Sequence, residues 1–334
     1  MSSVAVIGAG AWGTALALQA ARAGNQVTLW ARDPARAASI AASRENPRLP
    51  GARLPPEIVV TSAYPVATDM TVVAVPMQFV RDVLPHVPTA PLVIGAKGLE
   101  KGTLRLPLEI AAEVRPELPA AVLTGPNFAH EIAAGLPAAS VVAAADAALR
   151  ETIAGTLGAA SFRLYGNDDP IGAQVGGAAK NVIAIAAGAV IGAGLGENAR
   201  AALITRGLAE LSRLAVALGG RAETVMGLSG LGDLLLTCTG AASRNFSLGV
   251  ALGRGERLAD VLAARSSVTE GVATAPALVA RAQGSGSGSG VVPGSGSGAG
   301  IEMPVCAAVA SLLAGHTSLA EAIASLLARP RRDE

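Results

Sequence analysis

Two cysteines, Cys238 and Cys306, stand in a chain of 334 residues. That is too few for a disulfide framework and fits a reducing compartment. Histidine is almost as scarce. His86, His130 and His316 are scattered, and no Cys/His pair falls at ligand spacing, so no metal site is expected. No Ser-His-Asp arrangement is legible either. Excess charge of one sign is also missing. A net charge of +1 gives no reason to expect nucleic acid or an acidic membrane as the main partner. Despite a mean hydropathy of +0.47, long apolar runs are absent. The longest, Val182 to Leu195, has about 14 residues and is rich in glycine, short for a bilayer span. The N-terminus, SSVAVIGAG, has no basic n-region and becomes a glycine turn, so a first strand rather than a signal peptide is expected there. No internal repeat is found. What remains is a chain that is 51% hydrophobic and 15% charged, long enough for two cored domains and expected in the cytoplasm.

Val4 to Ile7 is a short apolar run of the kind that forms a buried parallel strand. Gly8-Ala9-Gly10-Ala11-Trp12-Gly13 follows, and then a helical pattern ending at Gly24. This is G-x-G-x-x-G in the context the motif requires, between strand and helix. Its glycines permit a tight turn and close approach to a pyrophosphate, while the helix start supplies N–H groups and positive dipole. A second strand runs from Gln26 to Trp30. An acidic residue is expected near its end for the ribose of NAD, but the sequence there is Ala31-Arg32-Asp33-Pro34. Arg32 can meet a 2′-phosphate or stack on adenine, and Asp33 can instead cap the next helix; NADPH is favoured with NADH still open. Further strand-like runs, Met70 to Val75, Leu92 to Ala96 and Ala121 to Thr124, end at Pro76, Lys97 and Gly125-Pro126-Asn127, with Phe79 just beyond the first. In a doubly wound sheet such ends form a ligand-binding rim. Two more strands are expected near Ala139 to Ala143 and Ser161 to Tyr165. The sequence therefore predicts an α/β Rossmann-like domain over 1–166 and an all-α domain over 167–334.

The second domain is organised around Asn167 to Glu197. Asp residues and Pro170 form a helix-start signature, and a nearly uncharged helix follows. Lys180 is the strong charge inside it. It either snorkels to water or sits in a buried polar site with partners. Ala199 to Leu218 reads as a second helix packed on the first. Glycine-dense Met226 to Gly232 leads to Asp233, which either caps a helix or orients a lysine ammonium. Ser243-Arg244-Asn245 at a helix start combines N–H donors, dipole and guanidinium into an anion site, or is a plain N-cap with an exposed arginine. Val268-Thr269-Glu270-Gly271 begins another helix, and Glu270 can reach a ribose or amide. The Gly/Ser-rich stretch 284–298 reads as an inserted flexible linker.

The motifs GAGAWGTALA, LWARDP, KGLEKGT, TGPNFAHEIAAGLPAA, GGAAKNVIAIAAG, NARAALITRGLAE, GLSGLGDLLLTCTG, SRN, TEG and EMPV occur in that order. Together they resemble the bacterial NAD(P)-dependent glycerol-3-phosphate dehydrogenases over nearly the whole chain. The resemblance implies reversible reduction of dihydroxyacetone phosphate to sn-glycerol 3-phosphate, supplying phospholipid synthesis. It implies Lys180 as general acid/base and Lys97 as a lysine serving substrate and cofactor. Gly125 and Asn127 fall at the substrate turn, where Asn127 replaces a commoner Ser or Thr. Asp233, Ser243, Arg244 and Asn245 match the substrate and phosphate group. Trp12, Arg32, Ala129, Arg244, Val268 and Glu270 match cofactor contacts, beside Gly8, Gly10, Ala11 and Gly13 of the glycine turn. Two other readings share parts of this pattern: a β-hydroxyacid-type dehydrogenase of the same architecture, which needs a carboxylate in its substrate, and a non-catalytic dinucleotide sensor, which needs neither lysine. Apolar helical surfaces make a homodimer plausible.

Overall fold

A computed structural model describes residues 1–240, 242–265, 268–284 and 300–329. The chain divides into two compact units. One comprises Met1–Lys97 with Arg105–Gln174, and the other Gly98–Leu104 with Val175–Glu334. Against the expected boundary at 166/167, the division falls between Gln174 and Val175, and 98–104 go with the second unit. The expected insertion 284–298 lies outside the described residues except for Gly284.

The first unit is built on an eight-stranded sheet of order β3-β2-β1-β4-β5-β6-β7-β8. Its strands are β1 Ser3–Ile7, β2 Gln26–Trp30, β3 Ile58–Thr61, β4 Met70–Val73, β5 Leu92–Ile94, β6 Ala120–Thr124, β7 Ala138–Ala143 and β8 Phe162–Asn167. β4 and β5 are buried at every position. That is the property of strands covered on both faces, and it explains why they read as continuous apolar runs. Residues of helix Ala11–Arg22, such as Leu16 and Ala20, pack with Leu29, Ile40, Val72 and Leu123 in one apolar core.

Two features depart from the sequence reading. β3 was not foreseen. Its four residues follow Pro55-Pro56, and only Ile58 is buried, as befits a short edge strand with one anchoring side chain. The sheet is also not wholly parallel. β7 runs antiparallel to β6, with Val122 opposite Ala143, and β8 runs parallel to β7. Around the expected rim, β1, β4, β5 and β6 are mutually parallel. Their carboxyl ends therefore share one edge.

The second unit is helical, with the long helix Pro170–Gly192 from Val175 onward, the long helix Gly196–Ala217 and shorter ones after them. Asp169 starts the first: its carboxylate accepts from Gly172 N–H at 2.8 Å with Pro170 at the first helical position. Among the described residues this is the one continuous helix long and apolar enough to cross a bilayer, and 83% of its apolar window is buried within the protein.

Glycines set how closely the helices approach. A Cβ on Gly188 would meet Phe246 O at 2.1 Å, and one on Gly192 would meet Val250 O at 2.2 Å. The relation is reciprocal: a Cβ on Gly249 would meet Ile185 O at 2.0 Å, and on Gly253 Ala189 O at 2.4 Å. Helices Pro170–Gly192 and Arg244–Gly253 thus pack backbone on backbone. Gly176 does the same against Ser229 O, at 2.6 Å. These contacts bring the starts of two short helices to the middle of the long one, around Lys180.

Candidate active site

In the first unit, the chain turns at Gly8 to Gly13 between β1 and helix Ala11–Arg22. Gly8 has φ +118°, and a Cβ there would lie 2.8 Å from Ala74 O. A Cβ on Gly13 would lie 1.8 Å from Gly8 O. Both glycines are demanded by the protein's own backbone. Gly10 is different. Its φ of −76° and ψ of 178° suit any residue, and a Cβ there would meet no protein atom within 4 Å. Glycine at this position keeps space open beside the helix start. The first helical hydrogen bond runs from Thr14 N–H to Gly10 O, and Gly10 provides no side-chain cap. The N–H groups of Ala11, Trp12 and Gly13 therefore have no intrahelical acceptor. An open approach with unsatisfied donors and helix dipole fits a pyrophosphate, so the residues present suit a dinucleotide. Trp12 Nε1 is buried without a partner, and a Cβ on Gly95, just past β5, would lie 2.9 Å from it.

At the end of β2, Asp33 caps helix Pro34–Ser43, accepting from Ala35 N–H at 3.0 Å. Of the two roles open to it, capping is the one observed. Arg32 is exposed and lies over the Phe79 ring, 5.3 Å from its centroid. Lys97, just past β5, donates from Nζ to Gly125 O at 3.2 Å, at the end of β6. Two of the rim positions are thereby in direct contact. Gly125 has φ +144°, and a Cβ on it would lie 3.1 Å from Ser140 Cα. Asn127 Nδ2 donates to Ser140 Oγ, while its buried Oδ1 has no partner. Ala129 opens helix Ala129–Ala134, which packs on helix Ala11–Arg22.

In the second unit, Lys180 is only 7% exposed and pairs with Asp233, which is fully buried. Lys180 therefore does not snorkel; of its two readings the buried polar site is the one observed. Asp233 is delivered by a single π-turn, Leu228–Gly232, in which Gly232 N–H bonds Gly227 O at 3.1 Å. Such turns are rare and recur at functional sites. Beside the pair, burial pushes the Cys238 thiol up to about 12, against the opposing charge of Lys180. Cys238 is thus a packing residue rather than a nucleophile.

Ser243 caps helix Arg244–Gly253 by accepting from Phe246 N–H at 3.2 Å, and Arg244 is exposed. The cap uses one N–H of the helix start and leaves those of Arg244 and Asn245 without an intrahelical acceptor. The Asn245 side chain is committed to structure. Its Nδ2 donates to Asn181 Oδ1 at 2.8 Å, and its Oδ1 accepts from Gly271 N–H at 3.1 Å. Asn181 is the neighbour of Lys180, and Gly271 the neighbour of Glu270, which opens helix Glu270–Ala282. Val268 is half-exposed just before it. The second-unit candidates thus gather in one hydrogen-bonded neighbourhood.

Residues not foreseen from the sequence hold these groups. Arg265 donates to Arg244 O at 2.6 Å, to Ser247 Oγ at 3.0 Å and to Thr269 Oγ1 at 3.3 Å, tying the Arg244 helix to the approach to Glu270. Asn46 and Arg36 hold the glycine turn. No local sequence signal marks any of them, since their partners are distant in the chain.

A dinucleotide-compatible turn in one unit and a buried lysine–carboxylate pair in the other are features of a nicotinamide-dependent dehydrogenase. The particular class follows from comparison. Residues 3–150 match the model for the NAD-dependent glycerol-3-phosphate dehydrogenase N-terminus, and residues 169–324 that for the C-terminus. The chain is 55% identical to the glycerol-3-phosphate dehydrogenase [NAD(P)+] of Acidiphilium cryptum, covering 99% of this chain and 98% of that one. It is 49% identical to the enzyme of that name from Gluconobacter oxydans, covering 98% and 97%. A crystal structure of glycerol-3-phosphate dehydrogenase from Coxiella burnetii is similar with a TM-score of 0.87 and 36% identity, over 98% of this chain and 99% of that one. The chain belongs to the NAD-dependent glycerol-3-phosphate dehydrogenase family.

Proposed function

We propose that this protein interconverts dihydroxyacetone phosphate and sn-glycerol 3-phosphate with NADPH or NADH, and that Lys180 is its general acid/base. The buried Lys180–Asp233 pair is the observation that carries the assignment. When bound, the reduced nicotinamide supplies hydride to the ketone carbon. The carbonyl oxygen then needs a proton, and an ammonium is suited both to stabilise charge there and to give that proton up. Asp233 fixes the direction of the ammonium by a charge-assisted hydrogen bond. In the reverse direction the neutral amine takes the proton from the hydroxyl.

The other candidates take roles that suit their positions. Gly8, Gly10, Ala11, Trp12 and Gly13 receive the pyrophosphate side of the cofactor. Arg32 serves the adenosine end, where a guanidinium suits a 2′-phosphate, and Ala129, Val268 and Glu270 complete the cofactor contacts. Lys97 brings positive charge to the rim, beside Gly125 and Asn127, for the phosphorylated substrate and the cofactor. Arg244, with the open N–H groups of its helix start, grips the phosphate, and Ser243 and Asn245 shape that start. Binding energy taken far from the reacting carbon fixes the geometry at it. A β-hydroxyacid substrate has no phosphate to engage Arg244, and a sensor has no use for the Lys180–Asp233 pair. The protein acts in the cytoplasm, as a homodimer, and its product feeds phospholipid synthesis.

The test is the loss of reduced-cofactor absorbance on adding dihydroxyacetone phosphate, with NADPH and NADH in parallel. Turnover is expected with at least one, and the ratio between them reads the contribution of Arg32. Tight cofactor binding without turnover would contradict the substrate assignment.

A further inference from the structure

Asn46 is 37 positions from Ala9 and 32 from Thr14 in the sequence, yet it reaches both and is only 1% exposed. Its Nδ2 is directed at the glycine turn and the helix that follows it. Nδ2 donates to Ala9 O at 3.1 Å and to the buried Thr14 Oγ1 at 2.6 Å. Oδ1 accepts from Arg36 Nη2 and from Arg48 N–H, both at 3.1 Å. Arg36 Nη2 also donates to Ala9 O. One carbonyl, that of Ala9, is therefore held by two side chains, and one of those holds the other.

The consequence follows from peptide geometry. Among the described residues no peptide bond is cis, that between Ala9 and Gly10 included. In a trans peptide the carbonyl oxygen and the following N–H point in opposite directions within one plane. Fixing Ala9 O against Asn46 and Arg36 fixes Gly10 N–H on the opposite side. Gly10 is also the residue whose missing Cβ leaves open space. Rotation of this one peptide by half a turn would present a carbonyl oxygen, not a donor, to an anion. A glycine-flanked peptide is the kind most free to make that rotation. The same amide holds Thr14, the first residue of the helix to find an intrahelical acceptor.

We propose that Asn46, with Arg36, is a positioning residue that locks the Ala9–Gly10 peptide in the orientation that receives the cofactor's pyrophosphate. This rests on the reading that the glycine turn holds the cofactor. Asn46 does not itself touch the cofactor. It acts through the backbone, so its loss weakens cofactor affinity without altering how the ketone substrate is held.

The test uses the full-length protein and titration with NADPH followed by its fluorescence. In Asn46→Asp the donor to Ala9 O becomes an acceptor while the contacts to Arg36 and Arg48 are kept. The dissociation constant for NADPH is expected to rise about tenfold or more, since a buried carbonyl loses a donor and faces a second oxygen. The KM for NADPH rises with it, while the KM for dihydroxyacetone phosphate stays put. Arg36→Met, which removes only one of the two donors, raises the NADPH constant by a smaller factor and serves if Asn46→Asp does not fold. Gly10→Val, whose Cβ meets no protein atom within 4 Å, tests the underlying reading separately. If Gly10→Val binds NADPH normally, the turn does not hold the cofactor. If Gly10→Val loses NADPH but Asn46→Asp and Arg36→Met bind it like the wild type, the turn holds the cofactor and the positioning role is wrong. A fall in melting temperature with no change in cofactor affinity would also overturn it, as that is the mark of a merely structural brace.

Discussion

Lys180 and Asp233 are buried together, and each makes the other's burial tolerable. Removing one partner strands a charge in a low-dielectric site, at a cost of about 3–5 kcal/mol, whereas replacing both with apolar groups is often neutral. Lys180→Met is therefore expected to melt well below the wild type, and Lys180→Met with Asp233→Leu to recover much of the loss while remaining inactive. Thermal unfolding beside the turnover assay checks this; a double variant no more stable than the single would show that the pair's burial is not what costs stability. Arg244 is exposed at its helix start, so Arg244→Ala is expected to fold normally. It should raise the KM for dihydroxyacetone phosphate far more than it changes kcat, and an unchanged KM would remove Arg244 from the phosphate. At this scale the sequence marks candidates by residue type in context: a lone lysine in an apolar helix, an arginine at a helix start, a glycine motif between strand and helix. It was silent where a side chain's role is set by a distant partner. Asn46 reaches Ala9 across 37 positions and Asn245 reaches Asn181 across 64. No local pattern encodes those pairings.

Elements place these residues through close backbone packing. Helix Arg244–Gly253 is seated against helix Pro170–Gly192 by glycines on both, and main-chain atoms cannot yield as a flexible side chain does. Gly249→Ala would put a Cβ 2.0 Å from Ile185 O. It should cost on the order of 1–3 kcal/mol or more by overpacking and also lower turnover, because the start of that helix moves relative to Lys180. Gly155→Ala is the control. Its Cβ meets nothing within 4 Å, in a helix where alanine is favoured over glycine by about 0.5–1 kcal/mol. If the two variants melted alike, the close-packing account would fail. The glycines of the long helix were legible as composition, but their partners were not. The same limit explains the missed β3, where one buried residue gives no periodicity, and the direction of β7, which an apolar run does not specify. It also explains the π-turn at Leu228–Gly232, which the sequence shows only as glycine density.

The molecule as a whole divides into a unit that fits a dinucleotide and a unit that holds the lysine pair, and each half matches its own part of the family. That division was legible because the two halves differ in pattern, strands alternating with helices giving way to helices alone. The residues flanking 285–299 are joined: Ile301 N–H donates to Ala282 O at 2.9 Å, and a Cβ on Gly300 would lie 2.8 Å from Gln283 Cα. Since the ends already meet, lengthening or shortening what connects them costs little loop entropy. Replacing 285–299 with a short glycine linker is expected to leave the melting temperature and the turnover close to those of the full chain. A large loss of either would mean that those residues contribute contacts of their own.

In the proposed function Lys180 moves the proton in a nicotinamide-dependent reduction of dihydroxyacetone phosphate. The most direct test of that role is single-turnover oxidation of bound NADPH on mixing with saturating dihydroxyacetone phosphate, in the wild type and in Lys180→Met, with the NADPH dissociation constant measured for both. The account predicts that the variant binds NADPH as the wild type does and oxidises it slower by a factor on the order of 10² to 10⁴. A variant that turns over at near the wild-type rate would contradict it.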